Sequence, residues 1–291
     1  MRTSIALAAA LAALSALAGC AIIVAPQDGS DMRVHTSWSS GTTEGNGIAA
    51  RDARAIAALP ALDVSGALPV DVRVGPVASL VVEADSNLLP LIRTETQGDT
   101  LRIWSEQNLR SKTPLRIVYT TPRLTEVRAS GATRVDVGGL NGAPLDVRKS
   151  GSASVTLAGT AGNLHARASG SGLLDAARLT SNSIDVTLSG SSRMRLGPVS
   201  GEVARMELSG SSSLDASGAV RSLNARVSGS ASADLAGLAT QDADLSASGG
   251  SSIRATVRQS LFARTSGSGG IRVYGQPAQR SMTGERIHLL D

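Results

Sequence analysis

The sequence predicts an all-β protein, a right-handed parallel β-helix-like solenoid of about eight short coils preceded by additional β-strands. Three observations predict it. Ser-Gly recurs eight times at a near-constant interval across residues 130–267. Around each Ser-Gly, apolar and polar residues alternate with period 2, the pattern of a strand with one buried face. Finally, aromatics make up only 2% of a chain that is 42% hydrophobic, and Phe262 is its sole Phe. The core must therefore be built from Ala, Val, Leu and Ile, side chains that suit thin, regularly stacked layers.

Bulk numbers exclude several classes. The net charge of +4 is small for 291 residues, and lysine occurs only at Lys112 and Lys149. No basic run interleaved with aromatics is present, so nucleic acid is not an expected partner. Cys20 is the single cysteine. A disulfide framework or a Cys-based metal site within one chain is thereby excluded.

Four segments follow in chain order. Residues 1–19 read as an export signal. Arg2 gives a positive start, and residues 5–17 are almost wholly Ala and Leu, too short to span a bilayer. The run ends in Leu17-Ala18-Gly19-Cys20, which resembles the bacterial lipoprotein signal. That resemblance implies cleavage before Cys20, lipid attachment at Cys20, and a membrane partner through the N-terminal anchor. Ala21 after the cysteine implies sorting to the outer membrane. Two or three acyl chains anchor stably, at about 0.8 kcal/mol per buried methylene. Residues 20–55 carry many Gly, Ser and Thr with little periodicity and read as the lipidated Cys20 plus a flexible tether.

Residues 56–277 form the β domain. Leu68-Pro69-Val70-Asp71-Val72-Arg73-Val74 alternates strictly. Leu101-Arg102-Ile103-Trp104 and Leu115-Arg116-Ile117-Val118-Tyr119 are further strand runs, bounded by turn formers. A short helix fits residues 86–92, capped by Ser86 or Asn87. From Ser130 the Ser-Gly glycines fall at 131, 151, 170, 190, 210, 229, 249 and 267, a period near 20 and the mark of a solenoid. Four residues after each glycine stand Val135, Val155, Leu174, Met194, Leu214, Ala233, Ile253 and Ile271. Four before stand Val127, Val147, Ala166, Val186, Met206, Ala225, Leu245 and Ala263. Each coil is thus strand, tight Ser-Gly corner, strand, looser corner. Lys149 breaks the inward pattern and is expected to snorkel to solvent past a corner. Residues 278–291 are read as a C-terminal tail covering the open end of the stack.

With these repeats, the chain resembles the putative auto-transporter adhesin head GIN-domain family, from about Leu62 to Pro277. The resemblance rests on Leu62-Asp63-Val64-Ser65-Gly66, Ala84-Asp85-Ser86-Asn87, Thr121-Pro122-Arg123-Leu124, the eight Ser-Gly pairs, and the closing Ser266-Gly267-Ser268-Gly269 and Val273-Tyr274-Gly275-Gln276-Pro277. It implies a parallel β-helix-like fold, an adhesive role and no established catalytic residues.

The outward columns carry the candidate chemistry. Arg128, Arg148 and Arg167 recur on consecutive coils, and three like charges repel unless neutralised. Glu126, Asp146 and Asp185 lie two residues earlier on the same outward face and can neutralise them. The alternative is an anionic partner, an acidic glycan or another envelope component. Asp215 and Asp234 occupy equivalent positions on adjacent coils, at about the 5 Å separation of a retaining glycosidase pair. They carry the competing reading of a polysaccharide-active lyase or hydrolase. His35, His165 and His288 form no metal-ligand spacing, and exposed serines without a base are not nucleophiles. The leading expectation is a non-catalytic, lipid-anchored protein of the cell envelope, at the outer membrane, without a cofactor.

Overall fold

The computed structural model describes residues 41–290, which are almost entirely β-strand with one 3-10 turn at Leu89–Leu91. Sequential coils stack by parallel pairing in the expected register. On one wall Val127, Val147, Ala166, Val186, Met206, Ala225, Leu245 and Ala263 lie directly above one another. On the other wall Val135, Val155, Leu174, Met194, Leu214, Ala233, Ile253 and Ile271 do the same. All sixteen are at most 1% exposed. The inward columns therefore fuse into one core running the length of the stack.

The two corners of a coil differ. At the Ser-Gly corner each glycine sits at positive φ, from +66° at Gly151 to +86° at Gly267. A Cβ on any glycine from Gly151 to Gly267 in this column would lie 2.5–3.0 Å from the carbonyl oxygen of the glycine one coil earlier. Only glycine satisfies both the backbone angle and the close approach. From Gly131 to Gly249 the residue after each glycine donates its N–H to that same carbonyl, as Ser191 does to Gly170 at 2.9 Å and Ser211 to Gly190 at 2.8 Å; at the last corner Gly269 N donates to Gly249 O at 2.6 Å instead. At the looser corner the register slips, for example between Ala176 and Ser181 and between Leu235 and Ala239. Those bulges absorb the variation in coil length.

The glycine column begins earlier than the eight-fold repeat. Ala61–Val64 pairs with Glu126–Ala129, and Pro69–Val74 with Arg134–Asn141, so Ser65-Gly66 is the corner of a preceding coil. After that coil the chain leaves the stack. Ser79–Asp85 runs antiparallel to Arg116–Thr121, and Ile92–Gln97 antiparallel to Thr100–Ser105. Thr100–Ser105 and Arg116–Thr121 then lie parallel beneath the first coil, which ends up between two later pieces of chain. Tyr119 fills this base. Its hydroxyl donates to Leu59 O at 2.7 Å and accepts from Leu59 N at 3.2 Å.

Several expectations need correction. The Cys20 segment and most of the tether lie outside the described residues, but the tether reading fails over 42–54. Thr42–Glu44 pairs with Asn108–Arg110, and Ala49–Arg54 covers the edge of Ser79–Asp85. Arg54 secures the second strand by donating to Ile92 O, Thr94 Oγ1 and Leu89 O at 2.7–3.0 Å. The helix at 86–92 shrinks to the 3-10 turn, with no side-chain cap. Ser86 and Asn87 instead bind the N-terminal strand region. Asn46 Nδ2 donates to Ser86 Oγ, Asn46 N to Asn87 Oδ1, and Asn87 Nδ2 to Glu44 O, all at 2.8–2.9 Å. The tail is itself built of strands. Gln279–Thr283 and Ile287–Leu290 pair with the strands before them and form one more coil. Lys149 does not snorkel: it is 2% exposed, between Ala129 and Ala168 in register. Those two alanines leave the volume its stem occupies.

Asp85 ties the base together. Fully buried, it accepts from Lys112 N at 2.7 Å, Ser111 Oγ at 2.8 Å and Gly47 N at 3.0 Å. Burial raises its pKa, but the hydrogen bonds from Lys112, Ser111 and Thr113 outweigh it, and the carboxyl is held below its ordinary 3.8. Gly45 has no side chain because Asp85 occupies the space where one would stand.

Candidate functional site

The three arginines singled out in the sequence come together. Arg128 pairs in register with Arg148, and Arg148 with Arg167. Asp63 extends the column on the coil before and Thr187 on the coil after. Strand spacing places successive members about 4.8 Å apart. Beside them runs a second ladder of Ser130, Ser150, Ser169 and Ser189, the corner serines. Together the two ladders line a shallow groove of about 500 Å³.

Electrostatics in the groove are only partly internal. Arg128 binds Glu126 at 2.7 Å and Arg148 binds Asp146 at 3.1 Å, so neutralisation holds for two coils. On the third it fails, because Asp185 faces His165 at 3.7 Å. Arg167 has no ion-pair partner among the described residues. Lys149, which the repeat alignment marked only as an anomaly, also lines the groove. Its Nζ donates to Ser171 O at 2.6 Å, and Gly172 leaves room for its stem. Burial pushes its pKa below the ordinary 10.5. The missed signal was its position: a lysine one residue inward of the arginine column can reach the same corner from behind.

Asp215 and Asp234 are in register on neighbouring strands, as the spacing implied. Their chemistry is already engaged in part. Asp234 Oδ2 binds Arg254 at 3.2 Å, and Asp234 Oδ1 accepts from Ala236 N at 3.3 Å. No group of three or more His, Cys, Asp or Glu able to hold a metal ion occurs among the described residues. No helix among them is long and apolar enough to cross a membrane.

A parallel β-solenoid with one uniform glycine corner, an antiparallel base and an arginine groove flanked by serines defines a class of repetitive β scaffolds. Within that class the chain belongs to the family described as "Putative auto-transporter adhesin, head GIN domain", whose pattern matches residues 59–203 and 182–277. Solved structures share the fold. A "putative adhesin" from Parabacteroides merdae ATCC 43184 is 17% identical with a TM-score of 0.65, covering 86% of this chain and 99% of its own. A "putative adhesin" from Parabacteroides distasonis ATCC 8503 is 18% identical with the same TM-score, covering 86% and 100%. A "putative lipid binding protein" from that second organism is 20% identical with a TM-score of 0.60, covering 86% and 100%. No curated protein matches the chain.

Proposed function

We propose that this is a non-catalytic, lipid-anchored protein of the cell envelope, adhesin-like, that binds an acidic glycan along the Arg128–Arg148–Arg167 groove. The observation that carries the reading is Arg167, without an ion-pair partner among the described residues, at the end of an in-register arginine ladder and next to a ladder of serine hydroxyls. A repeating ladder suits a repeating ligand: carboxylates or sulfates along a polysaccharide can engage successive guanidiniums, which bind such groups through paired N–H donors. Family membership and the lipoprotein-like Leu17-Ala18-Gly19-Cys20 support placement in the envelope, anchored through Cys20 at the outer membrane.

A glycan array probed with the full chain tests the groove. Acidic glycans bind in preference to neutral ones, Arg148→Glu and Arg167→Ala weaken that binding, and added salt weakens it further because the charges are exposed. Indifference to both substitutions would sink the proposal. Labelled palmitate enters the wild type and not Cys20→Ser; equal labelling removes the anchor from the account. Incubation with polyuronates and calcium addresses the enzyme alternative. Turnover that Asp215→Asn abolishes would replace the binding role with catalysis.

A further inference from the structure

The last coils carry a second basic surface, on the other wall and at the other end of the stack. Arg254 pairs in register with Arg272, and Arg272 with His288, on three neighbouring strands. In the adjacent outward column Ser252 pairs with Gly270, and Arg286 crosses above it. Gly269 and Gly270 contribute no side chains, so a recess of about 380 Å³ opens between the two columns. Arg254, Arg272, Arg286, His288, Ser252 and Ser268 line it, and no carboxylate of the described residues does.

Two of the guanidiniums are already oriented. Arg254 is held by Asp234 at 3.2 Å, and Arg286 Nη1 donates to Ser268 O at 2.7 Å. Arg272, between them, forms no ion pair among the described residues. Three guanidiniums and an imidazole line one small space, while the two hydroxyls beside them are engaged, Ser252 Oγ donating to Ser232 Oγ at 3.2 Å and Ser268 Oγ to Gly249 O at 3.4 Å.

We infer that this recess binds a compact polyvalent oxyanion of the phosphate type. A carboxylate has two oxygens and cannot use three guanidiniums together. A phosphate offers three or four oxygens to the N–H groups that Arg254, Arg272 and Arg286 leave free, and its charge near −2 matches Arg272 and Arg286, which form no ion pair among the described residues. The inference stands apart from the glycan groove, with which it shares no residue. The same chemistry is presented by free phosphate and by the phosphate of a lipid headgroup, and the experiment separates them.

The full chain is titrated with inorganic phosphate by calorimetry. In parallel it is sedimented with phosphatidylcholine vesicles, with and without phosphatidic acid. Saturable binding in at least one arm is expected. Arg272→Ala should weaken it at least about tenfold, the loss of one or two charge-assisted hydrogen bonds. Arg205→Ala, an exposed arginine on the opposite wall, should leave it unchanged. Melting temperatures taken alongside keep folding separate from binding, since both side chains point to solvent. Phosphate binding without vesicle binding identifies a free anion; selective sedimentation with phosphatidic acid identifies a headgroup. Absence of saturable binding in both arms overturns the inference, and so does equal loss in Arg272→Ala and Arg205→Ala.

Discussion

At Gly190 the backbone holds φ at +72°, and a Cβ would stand 2.8 Å from Gly170 O. Alanine there takes on left-handed strain of about 1–3 kcal/mol plus a clash between coils. Gly138 offers the control, with open space around its Cβ position and no positive φ. Thermal melts should show Gly190→Ala clearly destabilised and Gly138→Ala near neutral. Lys149 makes a second prediction at this scale. Its folded pKa lies below 10.5, so the unfolded chain holds a proton that the folded chain releases sooner. Stability should rise with pH between the lowered folded value and 10.5. Below that window the cost of burying the charge persists in full. In Lys149→Met that alkaline rise should vanish and the melting temperature at neutral pH should not fall, which pH-dependent melts will check.

Among the elements, the base differs most from what the sequence discloses. Repeat periodicity exposes the coils because identical corners recur, whereas the base is built once. Ala49–Arg54 reads Ala-Ala-Arg-Asp-Ala-Arg, with too little apolar contrast to announce a strand. It is held by Arg54, Asn46 and Asn87 through contacts distant in sequence. The Ala84-Asp85-Ser86-Asn87 motif was visible, but its work could not be read, since its partners at 44–47 and 111–113 come from either side of it in the chain. The groove was legible as far as the arginine column went; the failure of Asp185 to reach Arg167 depends on His165, which no alternation pattern ranks. At this scale Asp85 supplies a pH test. Its folded pKa is depressed, so its stabilisation is complete above about 3.9 and is lost as pH falls through the lower folded value. Asp85→Asn should melt at a lower temperature at pH 7 and expose 42–54 to protease. The gap to wild type should close in strong acid.

For the whole molecule, stability is a sum over coils and the contacts between neighbours, as in other quasi-one-dimensional folds. A chain ending at residue 208 should keep a cooperative β fold with a lower melting temperature. Deletion of 42–121 should abolish folding, because it removes the first coil together with its base and leaves Glu126–Ala129 and Arg134–Asn141 without the strands they pair with. Circular dichroism of the two truncations decides this.

The first coil, laid between strands that come later in the chain, also fixes an order of events. Residues up to 121 must be present before any wall has a finished underside. From then on each new length of about 20 residues meets a complete edge, already in register, and closes only a short loop to join it. A polypeptide delivered N-terminus first across a membrane would therefore wind itself up as it emerges. Growth would have a single direction, and each added turn would resist backsliding of the chain behind it.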